Sequence, residues 1–311
     1  MCLKKGEKVL SPKCNVCGNK LSVLFPTILD PITKETFAIH KCLRCGLGHT
    51  VPQPKNITRY YGPVYYGNRH SLTSSHCTKR RLGFLNCTTS KHNGKKLLDI
   101  GCGDGSFLIA ARNLGWDVSG TEINPDLAKT SGLNVEKSIG NLSNFGQFDC
   151  ITMWHSLEHL MDIKSTLSQV SKLLKPNGTL MIAVPDNGGL QAKFFKCKWL
   201  HLDVPRHRYH FDKDSLSFSL KDAGFTVQHQ WHQEIEYDLM GWSQSVLNCF
   251  FITPNIFLDI LMGKKKRFNI CYRIINFVMG SILSILSILP VAVEMILRRG
   301  GTLVVVAYRI K

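Results

Sequence analysis

At 311 residues the chain has room for one large or two modest domains with ample core. Its 39 Lys and Arg against 22 Asp and Glu leave a net charge of +17, which favours anionic partners: nucleic acid, anionic headgroups or phosphorylated substrates. The start, MCLKKGEKVLSPKC, lacks the apolar segment of a secretory signal, so the twelve cysteines read as reduced thiols plus a metal site and not as a disulfide framework.

Residues 1–50 are expected to form a zinc ribbon. Cys14-x-x-Cys17 and Cys42-x-x-Cys45 have ligand spacing, and each is closely followed by a glycine (Gly18, Gly46) that allows the tight turn around a thiolate. Four thiolates fill the coordination of a tetrahedral Zn²⁺, so the site is expected to be structural. Residues 51–94 read as a linker and a lead-in helix. The prolines between 52 and 66 exclude a regular helix there, and a polar helix is expected over 72–93. Tyr60, Tyr61, Tyr65 and Tyr66 are expected to pack the linker onto the following domain, the alternative being part of a substrate wall.

The stretch 95–125 organises the rest. An apolar run at 97–100 breaks into Gly101, Gly103 and Gly105; a helix-compatible segment, closed by Gly115, and a second strand at 117–121 follow, ending on Glu122. This is strand, glycine turn, helix, strand, acid: the opening of a doubly wound α/β sheet with a nucleotide-like ligand at the strand ends. The glycines admit positive φ and close backbone approach, and Glu122 is placed to take both hydroxyls of a ribose. Asp99 precedes the first glycine, and Ser106 stands where a dinucleotide fingerprint has its third. An acid at 99 repels a pyrophosphate and suits a ligand carrying an ammonium and a sulfonium.

Downstream, FDCITMWHSLEHLMD (148–162) and LLKPNGTLMIAVPD (173–186) read as strand, helix and strand. Together with LLDIGCGDG and GTEINPD, in that order, they resemble the class I methyltransferases that use S-adenosylmethionine, over about 95–229. The resemblance implies an α/β, Rossmann-like, seven-stranded sheet with an antiparallel last strand, formed by 95–234 and 300–311. It implies that Gly101, Gly103 and Gly105 floor the cofactor, with Asp99 at the methionine end and Glu122 on the ribose. Asn141 stands where relatives place an acid on the adenine amino group, and its carbonyl can make the same contact. His155 is expected to wall the cofactor. Glu158 and His159 are expected to act on the acceptor or to brace their loop. At 199–211 the chain resembles a Pro-Arg-His…His-Phe element: His207 is a candidate general base, and Arg206 and Arg208 candidate anchors for an acidic substrate. The alternative is a loop whose histidines fix its shape. A ribbon ahead of such a domain resembles bacterial enzymes acting on glycans, lipids and secondary metabolites.

The sixth strand is expected at 225–231 and the seventh at 301–308, with an apolar helical insertion, 235–299, between them. There the basic run Lys264, Lys265, Lys266, Arg267 precedes an uncharged stretch, 274–293, long enough to cross a bilayer. A single crossing would part the seventh strand from its sheet. The remaining readings are a dip into one leaflet broken at Pro290, an interfacial helix pair, or a dry cap or dimer interface; monotopic membrane contact is the favoured one. The expected function is therefore methyl transfer from S-adenosylmethionine to an oxygen or carbon nucleophile of an amphipathic acceptor such as a lipid-linked glycan, in the cytoplasm at the inner face of a membrane. A zinc-ribbon nucleic-acid binder is the competing class, but residues 1–49 lack a dense run of Lys and Arg interleaved with aromatics. An NAD-dependent oxidoreductase conflicts with Ser106 and Asp99, and a homo-oligomer stays open.

Overall fold

A computed structural model of the chain describes residues 12–61, 74–89, 94–142, 146–232, 234–263 and 269–310. The N-terminal module is built on β1 (Leu21–Leu29), β2 (Thr36–Cys42) and β3 (Gly48–Val51), paired antiparallel in that order. One cysteine pair precedes β1 and the other lies at the β2–β3 connection. Each closes a tight turn in which the glycine N–H returns to the first cysteine carbonyl (Gly18 to Cys14, 2.9 Å; Gly46 to Cys42, 3.1 Å), with φ of 69° and 77°. Helix α1 (Ser74–Thr89) then leads into the larger domain.

That domain contributes β4 (Lys96–Ile100), α2 (Ser106–Asn113), β5 (Asp117–Thr121), α3 (Asp126–Thr130), β6 (Asn134–Glu136), β7 (Phe148–Trp154), α4 (Ile163–Leu173) and β8 (Leu174–Pro185). It continues with α5 (Leu190–Phe195), β9 (Tyr209–His210), α6 (Lys213–Asp222) and β10 (Phe225–Trp231), and ends with β11 (Thr302–Arg309). The seven-stranded sheet has the order β10-β11-β8-β7-β4-β5-β6, with β11 antiparallel to both neighbours. The central strands are buried on both faces, as parallel strands covered by crossover helices must be. Alternation along them supplies two cores: Leu98, Ile151, Ile182 and Val305 on one side, Leu97, Cys150, Met181 and Val304 on the other. Asp162 caps α4 by accepting the Ser165 N–H, and Asp212 caps α6 through Ser215.

Between β10 and β11 lies a helical insertion: α7 (Ile235–Phe250), α8 (Ile256–Leu261), α9 (Ile270–Leu286) and α10 (Ile288–Leu297). Among the described residues no single helix is long and apolar enough to cross a membrane; α9 and α10 form a pair bent by 40°. The expected break at Pro290 falls instead at Ser287. Pro290 sits in the first turn of α10, where a missing N–H leaves no bond unmade. Strand β6 is only three residues long and is followed by a single turn at Ile139–Asn141. The basic run at 264–267 and Tyr65 and Tyr66 lie outside the described residues.

The two sheets are joined in a way no local pattern announces. Strand β9 comes from the larger domain yet pairs with β3 of the N-terminal module, His49 opposite Tyr209 and Gly48 opposite His210. Beside it the fully buried Arg206 donates to Asp30 Oδ1 (3.0 Å), Asp203 Oδ1 (2.8 Å) and the Tyr60 carbonyl (3.2 Å). Removing one partner of a buried ion pair strands the other charge, so Asp30→Ala is expected to cost about 3–5 kcal/mol in urea unfolding. A loss below about 1 kcal/mol would mean that the two parts do not depend on this pair.

Candidate functional site

The cofactor end follows from the β4 turn. Gly101, Gly103 and Gly105 have φ of 78°, 57° and 81°. A Cβ on Gly101 would stand 2.6 Å from that of Ser156, and one on Gly105 2.3 Å from Leu133, whereas Gly103 faces open space. The turn is thus pressed against its neighbours at two glycines and open at the third. Glu122 lies across it, its carboxylate accepting the N–H groups of Gly103 (3.0 Å) and Ile123 (2.8 Å). Asp99 sits opposite Gly120 and Thr152 in the register, and Thr152 Oγ1 donates to it at 2.6 Å. Burial raises the Asp99 carboxyl to about 6 against the stabilising Thr152 bond.

The contact between Gly101 and Ser156 brings the continuation of β7 to the edge of this turn. His155, with φ of 51°, turns the chain there. Its Nε2 is bound to the buried carboxylate of Glu234, and its ring stacks on Tyr237 of α7 with centroids 4.3 Å apart. Burial alone would lower His155; Glu234 and then Glu158 outweigh it and hold the imidazole at about 9. Arg80 of α1 donates to Glu234 at 2.8 Å, while Arg81 lies over the Trp154 ring at 5.1 Å.

One turn later, Glu158, His159 and His207 converge, one ligating atom of each lying within 4.8 Å of the others. The two imidazoles meet edge to face at 4.6 Å. His207 Nδ1 donates to the His201 carbonyl (2.8 Å), and His159 Nδ1 donates to that of Arg206 (3.0 Å) beside the Tyr61 hydroxyl (3.1 Å). Burial and then the proximity of His159 lower His207 to about 3, so it is neutral at physiological pH. Burial opposes ionisation of Glu158, but the neighbouring imidazoles, His155 first, bring it to about 2. The loop is fastened from above: Thr50 Oγ1 donates to the His207 carbonyl (2.6 Å) and accepts from His210 Nε2 (2.9 Å), and the Thr50 N–H donates to the Arg208 carbonyl (2.9 Å).

In the N-terminal module the four sulfurs of Cys14, Cys17, Cys42 and Cys45 also lie within 4.8 Å of one another, Cys14 to Cys45 at 3.5 Å and Cys17 to Cys42 at 3.4 Å. The N–H groups of Val16 and Cys17 bond the Cys14 sulfur, and those of Arg44 and Cys45 the Cys42 sulfur. That donor set suits four metal-bound thiolates.

A family model for a methyltransferase domain matches residues 77–230. A ubiquinone biosynthesis O-methyltransferase of Psychrobacter arcticus is 32% identical over 56% of this chain and 72% of its own length. One from Methylococcus capsulatus is 33% identical over 60% and 82%. This chain is a class I S-adenosylmethionine-dependent methyltransferase. The fold agrees: a solved Galdieria sulphuraria structure, described as a sarcosine dimethylglycine methyltransferase, matches with a TM-score of 0.52 at 14% identity, covering 81% of this chain and 97% of that one.

In the methyltransferase the structure brings Asp99, Gly101, Gly103, Gly105 and Glu122 together, with His155 at their edge. Asn141 is set apart: it accepts from Ser138 (3.3 Å) and borders a cleft with Lys96 and Asp117, which open β4 and β5 at the ends away from the glycine turn. His159 and His207 meet, although 48 residues separate them. Arg206 and Arg208 do not reach for a substrate; each is 2% exposed, and Arg208 donates to the Pro54 carbonyl at 2.9 Å. Tyr60 packs on Phe37 of the preceding N-terminal module, whereas Tyr61 touches His159 of the following domain. Sequence reasoning missed Glu234, the partner of His155, because no motif links residues 79 positions apart. A double-mutant cycle of Glu234→Gln with His155→Phe is expected to give a coupling of about 1–3 kcal/mol in chemical denaturation. Additive effects would show that this link carries no stability.

Proposed function

We propose that the methyltransferase moves the methyl group of S-adenosylmethionine onto a hydroxyl oxygen of an amphipathic acceptor. The observation that carries this reading is the abutment of Gly101 on Ser156, which borders the cofactor floor with the Glu158–His159–His207 cluster. The names of the relatives, ubiquinone biosynthesis O-methyltransferase, support oxygen as the acceptor atom. Glu122 takes the ribose hydroxyls, Asp99 faces the ammonium end, and His155 walls the pocket. Transfer is an in-line displacement at a cationic sulfonium, so alignment supplies much of the catalysis. The acceptor hydroxyl loses its proton at the cluster, whose imidazoles His159 and His207 stand on the acceptor side.

The amphipathic character of the acceptor is read from the insertion. Ile285, Leu289 and Ile296 of α9 and α10 are 68%, 73% and 81% exposed within a wider apolar face. Such a face suits monotopic contact with one leaflet. The C-terminal end of the pair returns to the domain, since β11 follows directly. The Cys14, Cys17, Cys42 and Cys45 set is read as a structural Zn²⁺ site. Elemental analysis is expected to give a zinc equivalent that Cys17→Ser loses together with thermal stability; zinc retained in that variant would exclude this ligand set.

Calorimetric titration with S-adenosylhomocysteine tests the cofactor roles. Loss of hydrogen bonds to a carboxylate in Glu122→Ala should weaken binding by about ten- to a hundredfold. Because Asp99 titrates near 6 and must be ionised to meet the ammonium, affinity should fall about tenfold between pH 7 and pH 5. Unchanged affinity in the variant, or across that range, would remove Glu122 or Asp99 from the site.

A further inference from the structure

One side chain of the first cysteine turn reaches into the catalytic domain. Asn15, between Cys14 and Cys17, donates from Nδ2 to the Tyr209 hydroxyl at 2.5 Å. That hydroxyl donates in turn to the Met161 carbonyl at 2.8 Å. A phenol has one proton to give and lone pairs with which to receive, so the order Asn15, Tyr209, Met161 uses both capacities. Tyr209 is 1% exposed, and burial pushes its phenol up, which keeps the proton in place. Beside it the Arg208 N–H donates to the Glu158 carbonyl at 2.8 Å. Strand β9 and its neighbour thus grip the segment 157–161 at two carbonyls. The segment depends on that grip. Leu157–His159 is a single 3₁₀ turn with no side-chain cap at Ser156, and such short turns support themselves poorly. Val16, the next residue of the cysteine turn, is buried in the same core as Leu157 and Ile163.

We propose that Asn15 and Tyr209 are positioning residues for methyl transfer, through which the four-thiol site sets the place of the turn carrying Glu158 and His159. This rests on two readings given above, that these residues face the acceptor and that the thiols hold Zn²⁺. The cysteine turn has few ties of its own. The Gly18 N–H returns to the Cys14 carbonyl, and the N–H groups of Val16 and Cys17 bond the Cys14 sulfur. Those bonds suit a thiolate, and four thiolates this close repel one another unless they share a cation. With the sulfurs fixed, Asn15 is held against the Tyr209 hydroxyl. A displacement there passes along the bonds: Tyr209 leaves Met161, the turn relaxes, and Glu158 shifts. Its carboxylate now stands 3.7 Å from His155 Nδ1 and 3.9 Å from His207 Nε2. Transfer requires donor, acceptor and proton-accepting groups in line, and a shift of about 1 Å is enough to slow it about 100-fold. The cofactor floor at the glycine turn is left untouched.

Hydrogen exchange and nuclear magnetic resonance on the full chain test this, with Tyr209→Phe and Asn15→Asp beside the unaltered protein. Tyr209→Phe keeps the ring against His49, with centroids 5.3 Å apart, and removes only the hydroxyl. Asn15→Asp is nearly isosteric but replaces a donor by an acceptor, which draws the phenol proton away from Met161. Protection of the His159 and Leu160 amides, which close the turn on the Ser156 and Leu157 carbonyls, should fall about tenfold in both variants. The Gly101 and Cys102 amides should keep theirs, and S-adenosylhomocysteine should bind unchanged. Against burial, Glu234 and then Glu158 hold the His155 ring at about 9, so it should titrate lower once Glu158 has shifted away. A role in packing alone would leave that midpoint where it is. Stripping zinc from the unaltered protein with a chelator should reproduce the loss at His159 and Leu160, and restoring Zn²⁺ should reverse it. Equal protection and an unmoved His155 midpoint in both variants would overturn the positioning roles. Zinc loss without loss of protection would overturn the link to the thiols alone. A chain that binds no zinc would overturn that link together with the zinc reading, while the two variants still decide the roles of Asn15 and Tyr209. Weaker S-adenosylhomocysteine binding in the variants would place the turn at the cofactor and overturn the acceptor reading.

Discussion

The buried guanidinium of Arg206 is the constraint from which the 199–211 loop takes its place. Its bonds to Asp30, Asp203 and the Tyr60 carbonyl reach the N-terminal module, its own loop and the linker at once. A buried ion pair contributes little net stability compared with an apolar substitute, but it penalises every arrangement in which either charge lacks its partner. Here the penalised arrangements are those in which the 199–211 loop leaves the N-terminal sheet. Strand β9 and the Thr50 bonds then fix the loop residue by residue. The N-terminal module thereby holds in place the loop that carries His207.

The cofactor end and the acceptor end of the site differ in electrostatics. Asp99 and Glu122 place two acids at the glycine turn, with Thr152 and backbone N–H groups holding the carboxylates in place. Beyond Ser156 the residues are imidazoles around one dry carboxylate. Between them His155 ties the end of β7 to the start of α7 through Glu234, while α1 adds Arg80. The insertion is thus anchored at its first turn to the strand that borders both ends. The exposed helical insertion and the buried residues after β7 are consequently parts of one packed unit.

Much of this was legible in the sequence, and the reasons are local. The glycine turn, its acid at 99 and the acid at 122 lie within 24 residues and obey a spacing set by a strand, a helix and a strand. The thiols announce themselves by their pairing and following glycines. The seventh strand was legible because a β-branched run had no other place in the sheet. What escaped depends on partners far apart in the chain: Arg206 and Asp30 are 176 positions apart, and β9 is only two residues long. The arginines of the 199–211 loop looked like substrate anchors because composition marks a charge without revealing that it is already paired. Pro290 looked like a breaker because proline serves equally well in the first turn of a helix.

Hydrogen exchange on the unaltered protein and on Asp30→Ala tests the central claim, that the N-terminal module holds the acceptor loop. The reporters are the amides of Thr50 and Arg208, which bond the loop to β3 and to the Glu158 carbonyl. The account predicts that both lose protection in the variant while the amides of β4 and β7 keep theirs. Equal protection of Thr50 and Arg208 in the two proteins would contradict it, because the loop would then keep its place without the module's grip.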